Sequence, residues 1–484
     1  MRLLLLPALL CAGFAAAAVS DISFKASGVP AFIGGHGDLA IGTLTLNSDR
    51  TARRETITVS LKGTKVQDVK GLRLGDTKGR IMGEKALFDV PVNEGANSYT
   101  VYAEIRPQAS LLRKLVIEKV PVRLASIVTR PNQKVVDAKR VSKNFRIPGI
   151  VETPKGTLVA VFDNRFNHAG DLPADITVGV SVSRDKGSTW SPIRTAIDCS
   201  GLPGGSGIGD PAILCDPSNG RLWVAALRAP KSGHPIWKSS KGTLSPDACG
   251  QFILAYSDNE GKTWSKPINI TAEVKRLGDP DTAEWGLVFQ GPGAGIAMAD
   301  GTLVFPAQIW GHNGGSPHHG LLVYSKDHGK TWQSSKAMPF GGSESTVAQL
   351  PDGSLLLNTR EGGGPGTRIT ARTTDLGQTW EKLNTSPLRQ PGNLCQAALL
   401  AVGDKLYFSN PNSGKRDTMT LRVSADNGLT WSSGVVYDPR GCAGYSSLCT
   451  VGKDAIGVIY EGTSDYHYFQ LFSLEELAEQ TPAN

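Results

Sequence analysis

The sequence predicts an all-β protein, a six-bladed β-propeller preceded by a small N-terminal β-sandwich. Three observations carry that prediction. An octapeptide of the form S/T-x-D/N-x-G-x-T-W occurs five times, at residues 183–190, 257–264, 325–332, 373–380 and 424–431. Each copy follows a short strand-like run (176–182, 252–256, 321–324, 368–371 and 418–423), and helical periodicity is nearly absent from about Arg140 onward. A unit recurring every ~50–75 residues marks a propeller, solenoid or array, and one turn per four-stranded sheet suits a propeller. The length from Arg140 to the end accommodates six such sheets, one of them closed by both termini of the domain.

The octapeptide explains itself locally. An Asp or Asn side chain accepts backbone N–H bonds inside a hairpin turn, Gly supplies a positive φ, and the terminal Trp packs back as an anchor. Five such turns on five sheets cannot all face one site, so their aspartates are read as structural.

Ahead of the repeats, residues 19–131 alternate apolar and polar positions in short runs at 37–46, 55–61, 85–92 and 98–105, punctuated by Asn-Ser-Asp and Asn-Glu-Gly. That pattern gives the N-terminal β-sandwich, either a carbohydrate-binding or a spacer module. Residues 119–139 read as a connection into the second domain, 132–484. Residues 1–18 hold one basic residue, the apolar run 3–10 and the small-residue exit Phe14-Ala15-Ala16-Ala17-Ala18, which predicts a signal peptide and export to the periplasm or medium. No later stretch is long enough for a membrane span. Six cysteines follow the leader (Cys199, Cys215, Cys249, Cys395, Cys442 and Cys449), with disulfides and free thiols both open. The net charge of +7 is spread along 484 residues, and with 7% aromatic residues and no basic stripe the composition argues against nucleic acid.

The octapeptide resembles the Asp box of sialidases (neuraminidases), and Phe145-Arg146-Ile147-Pro148 resembles the motif that opens their catalytic domain. The resemblance runs from about Arg140 to Leu477. It implies a site for sialic acid, whose carboxylate calls for fixed cations; arginine suits this, being always charged and forked to bind a carboxylate bidentately. Three arginines are implied as the clamp: Arg146, then Arg360 at the end of Ser354-Leu355-Leu356-Leu357-Asn358-Thr359-Arg360, then Arg416, with Arg422 as the alternative to the last.

Gly342-Ser343-Glu344-Ser345-Thr346-Val347 resembles the family segment that supplies a glutamate base. Gly444-Tyr445-Ser446-Ser447-Leu448, followed by Tyr460-Glu461, resembles its nucleophile segment. Tyr445 is thereby the implied nucleophile and Glu344 its base. A phenol needs a neighbouring carboxylate to take its proton, and being neutral it avoids repulsion from the substrate's own carboxylate, an exception to the two-carboxylate scheme of glycosidases. Asp171, on the loop after Arg165, is implied as the general acid, with Asp163 and Asp175 as alternatives. Arg165 and Asp210, in Gly209-Asp210-Pro211-Ala212, are implied substrate contacts.

The resulting expectation is an exported exo-α-sialidase, a retaining hydrolase of sialylated glycans working through a covalent tyrosyl intermediate, with no cofactor and no metal. Trans-sialidase activity on the same site and a non-catalytic sialoglycan-binding propeller are the alternatives. A paired base and nucleophile argue against the last. His312, His318 and His319 lie in a glycine-rich stretch without a completing carboxylate pattern, and read as rim residues rather than metal ligands. Trp285 and Trp310 are candidates for walls of the substrate pocket or for packing between sheets.

Overall fold

The computed structural model describes residues 19–34, 39–138, 140–201, 205–230, 235–360, 368–384, 395–462 and 466–479, so the leader at 1–18 lies outside the described residues. The chain divides into two compact units. The first comprises residues 1–27, 36–106 and 114–122; the second comprises 28–35, 107–113 and 123–484.

In the first unit the alternating runs are strands, Leu39–Ser48, Ala52–Ser60, Lys85–Val92 and Gly95–Ile105. They build two antiparallel sheets. One has the order Val19–Ala26, Leu39–Ser48, Gly95–Ile105, Val69–Leu74, Thr77–Lys78; the other has Ala52–Ser60, Lys85–Val92, Arg80–Met82. The period of two is visible in burial: Ala86, Phe88, Val90 and Val92 are buried, while Lys85, Asp89 and Pro91 face solvent. Burying a Phe or Val side chain in this way contributes at most about 1.5–3 kcal/mol.

The second unit contains six sheets in chain order, antiparallel apart from short parallel additions at Gly293–Ala294 and Ala31–Phe32. The first runs Asn144–Glu152, Leu158–Arg165, Ile176–Ser183, Arg194–Ile197, and the second Gly205–Asp216, Arg221–Pro230, Gln251–Ser257, Ile268–Asn269. The third runs Trp285–Gln290, Leu303–Gly311, His318–Ser325, Gln333–Ser334; the fourth Ser345–Gln349, Leu355–Thr359, Ile369–Thr373, Glu381–Lys382; the fifth Ala398–Val402, Lys405–Pro411, Met419–Ser424, Val435–Asp438. The sixth runs Ser446–Val451, Ala455–Glu461, His467–Ser473, and its outer strand comes from the other end of the unit, where Ser126 pairs with Phe469 and Ile127 with Tyr468. Inner strands lie against inner strands of the next sheet, except that Ser345–Gln349 meets Leu303–Gly311 and the short strand Ile296–Ala297 of the third sheet, and Ser446–Val451 returns to Asn144–Glu152, closing the cycle.

One part of the sequence reading is corrected here. Residues 119–139 are not simply a connection, because 120–129 form a strand whose later residues join the sixth sheet. From Leu124 to Ala125 and at Ser126, Val128 and Thr129 the strand is buried on both faces, so it lacks the alternation that marked the other strands. Residues 123–131 accordingly belong with the second unit.

The octapeptides join the third strand of a sheet to its fourth. In the first copy Asp185 Oδ1 accepts from Thr189 N at 2.9 Å and Oδ2 from the Thr189 hydroxyl at 2.6 Å, while Gly187 N donates to Ser183 Oγ at 2.8 Å. Asp327, Asp375 and Asp426 repeat these bonds, and Asn259 does so through its amide. The glycine is required twice over. Its φ is +86° in Gly187 and +85° in Gly329, and a Cβ there would come 2.1 Å from Phe469 and 2.2 Å from Trp223, on the preceding sheet in the cycle. The tryptophans of the same two copies follow suit: Trp332 meets Trp223 edge-on at 5.6 Å, and Trp190 Nε1 donates to Ser126 Oγ at 3.0 Å. Each octapeptide therefore locks its own turn and rests on the sheet before it. The sixth sheet has none because its fourth strand arrives from the other end of the unit, leaving no turn to lock.

Strand direction separates the two ends of the cycle. Turns between third and fourth strands lie at one end; the starts of the first strands and the ends of the second strands lie at the other. Arg146, Arg165, Asp210, Glu344, Arg360, Arg416 and Tyr445 all fall at this second end.

Candidate active site

A cleft of about 710 Å³ opens at that end, and its lining includes Arg146, Asp171, Asp210, Glu344, Arg360, Arg416 and Tyr445. Seven of the eight residues singled out from the sequence thus share one cavity. The eighth, Arg165, lies beneath it, fully buried, with Nη1 3.0 Å from the carboxylate of the exposed Asp171.

Tyr445 directly precedes the inner strand of the sixth sheet and Glu344 that of the fourth, so two short leads into strands carry the central pair. The Tyr445 hydroxyl donates to Glu344 Oε1. Arg360 Nη1 donates to Glu344 Oε2 at 2.9 Å and stands 3.5 Å from the phenol oxygen. Gly444, at φ +96°, permits this placement: a Cβ there would lie 2.8 Å from Cys395 Sγ, which packs with Ile147 under the tyrosine ring. The guanidinium carbons of Arg146 and Arg416 lie 5.3 and 5.7 Å from the ring centroid.

Three of the arginines are matched by carboxylates. Arg146 Nε donates to Glu461 Oε1 at 2.7 Å, Arg360 pairs with Glu344, and Arg165 donates to Asp163 Oδ2 through Nη2 at 2.6 Å and Nε at 3.1 Å. Arg416 instead donates to the carbonyl of Ala443 at 2.9 Å and has no salt bridge among the described residues. Among the described arginines singled out for the clamp, its charge is the one without a carboxylate partner. Arg422 is buried against Asn410 Oδ1 at 2.8 Å and does not line the cleft.

Two acidic residues hold this arrangement from below. Glu461 also accepts from Ile147 N at 2.7 Å and from Tyr445 N at 2.9 Å, and Asp163 also accepts from Asp210 N at 2.8 Å. Ile147 and Asp210 both have left-handed backbones, with φ +59° and +55°. Such a conformation costs about 1–3 kcal/mol outside glycine and persists where its surroundings dictate it. In each case a buried carboxylate grips both an arginine and the N–H of the strained residue.

The chain matches the family described as BNR repeat-like domain over residues 156–458. It is 36% identical to a sialidase of Bacteroides fragilis over 82% of this chain and 76% of that protein, and 31% identical to a sialidase of Clostridium perfringens over 68% and 89%. The chain belongs to the bacterial sialidase family. Among solved structures, a Hadza microbial sialidase superposes with a TM-score of 0.80 at 30% identity, covering 93% of this chain and 99% of that one. The β-propeller fold and BNR repeats of sialidases are therefore those of the second unit.

In this sialidase the electrostatics of the cleft keep the nucleophile candidate neutral. Burial, then the anionic Glu344 beside it, push the Tyr445 phenol well above its ordinary range, against the pull of Arg360 and Arg146. Burial, with Asp163 and Asp171 nearby, also raises the Asp210 carboxyl well above the usual carboxylate range. Glu461 differs: burial pushes it up, but Arg146, His467 and the two N–H donors bring it below its ordinary value.

The remaining sequence candidates fall into place around these. Asp163 lies under Arg165 and does not line the cleft; Asp175 pairs with Arg140 at 2.7 Å. Trp310 lines the cleft, its ring tilted against that of His318 with centroids 4.2 Å apart, whereas Trp285 is 3% exposed in the core between the second and third sheets and forms no wall. His319 Nδ1 accepts from Gly341 N at 3.2 Å, and His318 Nε2 lies 3.2 Å from Gly314 O. The six described cysteines are all free thiols. Glu461 carries no role in the sequence pattern. The available signal was a carboxylate closing an apolar strand, which must meet a cation if buried.

Proposed function

We propose that this exo-α-sialidase is a retaining glycosidase that uses Tyr445 as its nucleophile. The observation that carries this reading is the Tyr445–Glu344–Arg360 chain of contacts at the bottom of a cleft whose exposed rim bears Asp171. The substrate carboxylate sits among Arg146, Arg360 and Arg416, Arg416 contributing the unmatched charge. Asp210 contacts the sugar ring and its substituents, and Arg165, buried beneath the cleft, holds Asp171 in place above it.

The Tyr445 oxygen attacks the anomeric carbon while Glu344 takes its proton. Asp171 gives its proton to the departing glycosidic oxygen, and the aglycone leaves as a neutral alcohol. Water then attacks the tyrosyl–sugar bond, giving a proton to the Asp171 carboxylate, and the phenolate recovers its proton from Glu344. Configuration is retained through two inversions. Keeping the phenol neutral until attack avoids placing an anion beside the substrate carboxylate, which explains why burial of Tyr445 suits the chemistry. Terminal α-linked sialic acids of glycoproteins, glycolipids or oligosaccharides are the substrates.

The same reading includes a six-bladed propeller, supported by the closed cycle of six sheets, and an N-terminal β-sandwich whose strands end before residue 123, supported by two antiparallel sheets with alternating burial. Export through the 1–18 leader agrees with its composition, and no helix among the described residues is long and apolar enough to cross a membrane.

The test is turnover of a fluorogenic sialoside and of sialyl-lactose by wild type, Tyr445→Phe and Asp171→Ala. Tyr445→Phe is expected to lose roughly 10⁴-fold or more in kcat, as removal of a nucleophile does. Asp171→Ala loses about 10²–10⁴-fold on sialyl-lactose and far less on the fluorogenic substrate, whose phenol-type leaving group needs little protonation. Equal loss on both substrates would exclude Asp171 as the acid.

A further inference from the structure

Behind one wall of the cleft lies a buried cation that the chemistry above does not use. Lys275 ends the short helix α2 (Thr271–Lys275) and is wholly buried. Its Nζ donates to the carbonyl oxygens of Lys241 at 2.7 Å, Thr243 at 2.8 Å and Gly286 at 2.8 Å, and Cys249 Sγ is a fourth neighbour at 3.0 Å. Three carbonyls match the three N–H groups of an ammonium, which a lysine so far from water requires.

None of these partners belongs to the helix that carries the lysine. Lys241, Thr243 and Cys249 lie on the turn that follows helix α1 (Ile236–Ser239), and Gly286 is on the first strand of the third sheet. Helix α1 carries Ile236 and Trp237, which line the cleft beside Trp310. Ser240 joins the two: its hydroxyl donates to Ile236 O at 2.9 Å and accepts from Gly250 N at 3.1 Å. Its carbonyl accepts from Asn313 N at 2.8 Å, on the segment between Trp310 and His318. Space is tight, since a Cβ on Gly250 would fall 2.5 Å from Leu287 and 2.9 Å from Ile236. A shift of the turn therefore moves the wall.

We propose that Lys275 is a positioning residue for substrate binding: by gathering the 241–249 turn onto the third sheet it sets Ile236 and Trp237 against the bound sialoside. The proposal rests on the sialidase reading of the cleft. It assigns Lys275 no part in bond making or breaking, so its effect falls on binding common to ground and transition states.

The test is steady-state kinetics of the full chain on a 4-methylumbelliferyl sialoside and on sialyl-lactose. Lys275→Met is expected to raise KM about five-fold or more on both, with kcat within about two-fold of wild type. Ser240→Ala, which cuts the link between turn and wall and keeps the test open if Lys275→Met does not fold, is expected to raise KM about two-fold or more. Asp216→Ala serves as a control: it removes partly buried bonds to Ser218, Asn219 and His328 at the other end of the sheets, and is expected to lower the melting temperature with KM unchanged. Folded Lys275→Met or Ser240→Ala with unchanged KM would overturn the proposal, as would a loss confined to kcat or an equal KM rise in the Asp216→Ala control. A wild type that turns over neither sialoside would overturn the sialidase reading itself.

Discussion

The two ends of the sheet cycle are built from the same component, a carboxylate that accepts backbone N–H bonds, and they use it oppositely. At the octapeptide end Asp185, Asp327, Asp375 and Asp426 each hold a tight turn near solvent. At the cleft end Glu461 and Asp163 are buried, and each holds an arginine and a strained residue at once. The near-solvent aspartates are held down by their donors. Asp375 is brought to about 2 by the side chain and N–H of Thr379, and Asp327, though its burial pushes it up, is brought to about 2 by the summed bonds from Thr331 and Ser325. In the cleft, burial dominates and pushes Tyr445 and Asp210 up. Repetition therefore marks the scaffold and electrostatic tension marks the site.

The sharpest way to separate the ends is to remove one carboxylate from each. Glu344→Gln keeps a partner for Arg360 but cannot take the Tyr445 proton. Its kcat is expected to fall about 10²–10⁴-fold with the fold intact, measured by turnover and circular dichroism. Glu461→Ala is expected to cost about 3–5 kcal/mol in urea unfolding, because it leaves the Arg146 charge without its buried partner. Activity should fall with it, since Ile147 and Tyr445 lose the acceptor that fixes their backbones.

Acid separates the ends by pH window. His467 pairs with Glu461 across the sixth sheet, packs 5.5 Å from Phe162, and neither ring nitrogen has a hydrogen-bond partner among the described residues. Burial lowers it from 6.5 to about 4, despite the pull of Glu461 and with Arg146 and Arg165 adding to the shift. Between those values the unfolded chain binds the proton and the folded one does not, so stability falls as pH falls from about 6.5 to 4, by roughly 3 kcal/mol in all. His467→Phe should flatten this part of the stability–pH curve in chemical unfolding. An unchanged slope would show that another group is responsible. The octapeptide aspartates are shifted in the same direction but act in a lower window: their contribution is present above the ordinary Asp value near 3.8 and is lost as pH falls towards about 2.

This contrast also explains what the sequence could disclose. Tyr445, Glu344, Arg146 and Arg360 were legible because each sits in a short, single-copy string at a strand end, where the neighbours fix the side chain's direction. The octapeptides were legible because their bonds close within five residues. Glu461, His467 and Lys275 were not, since their roles depend on partners from other strands, turns or helices. Ile147 meets Glu461 across 314 positions of chain, and Lys275 meets carbonyls 32 and 34 residues before it. Nothing in a local string records such a meeting. The strand at 120–129 escaped for a related reason, being buried on both faces and so without a period to read.

The smallest expected effect tests the structural reading of the octapeptides most directly. Asp327→Ala removes acceptors for Thr331 N and its hydroxyl, and leaves a turn whose glycine still rests on Trp223. Because the group is close to solvent, water replaces part of what is lost, and the expected cost is about 1 kcal/mol. Gly329→Ala in the same turn should cost more, since a methyl group meets Trp223 at 2.2 Å on a backbone with φ +85°. Both variants should leave KM and kcat at wild-type values, because the turn and the cleft lie at opposite ends of the strands. If Asp327→Ala altered KM while Gly329→Ala did not, the octapeptide aspartate would belong to the functional end, and the separation between scaffold and site would fail at its simplest point.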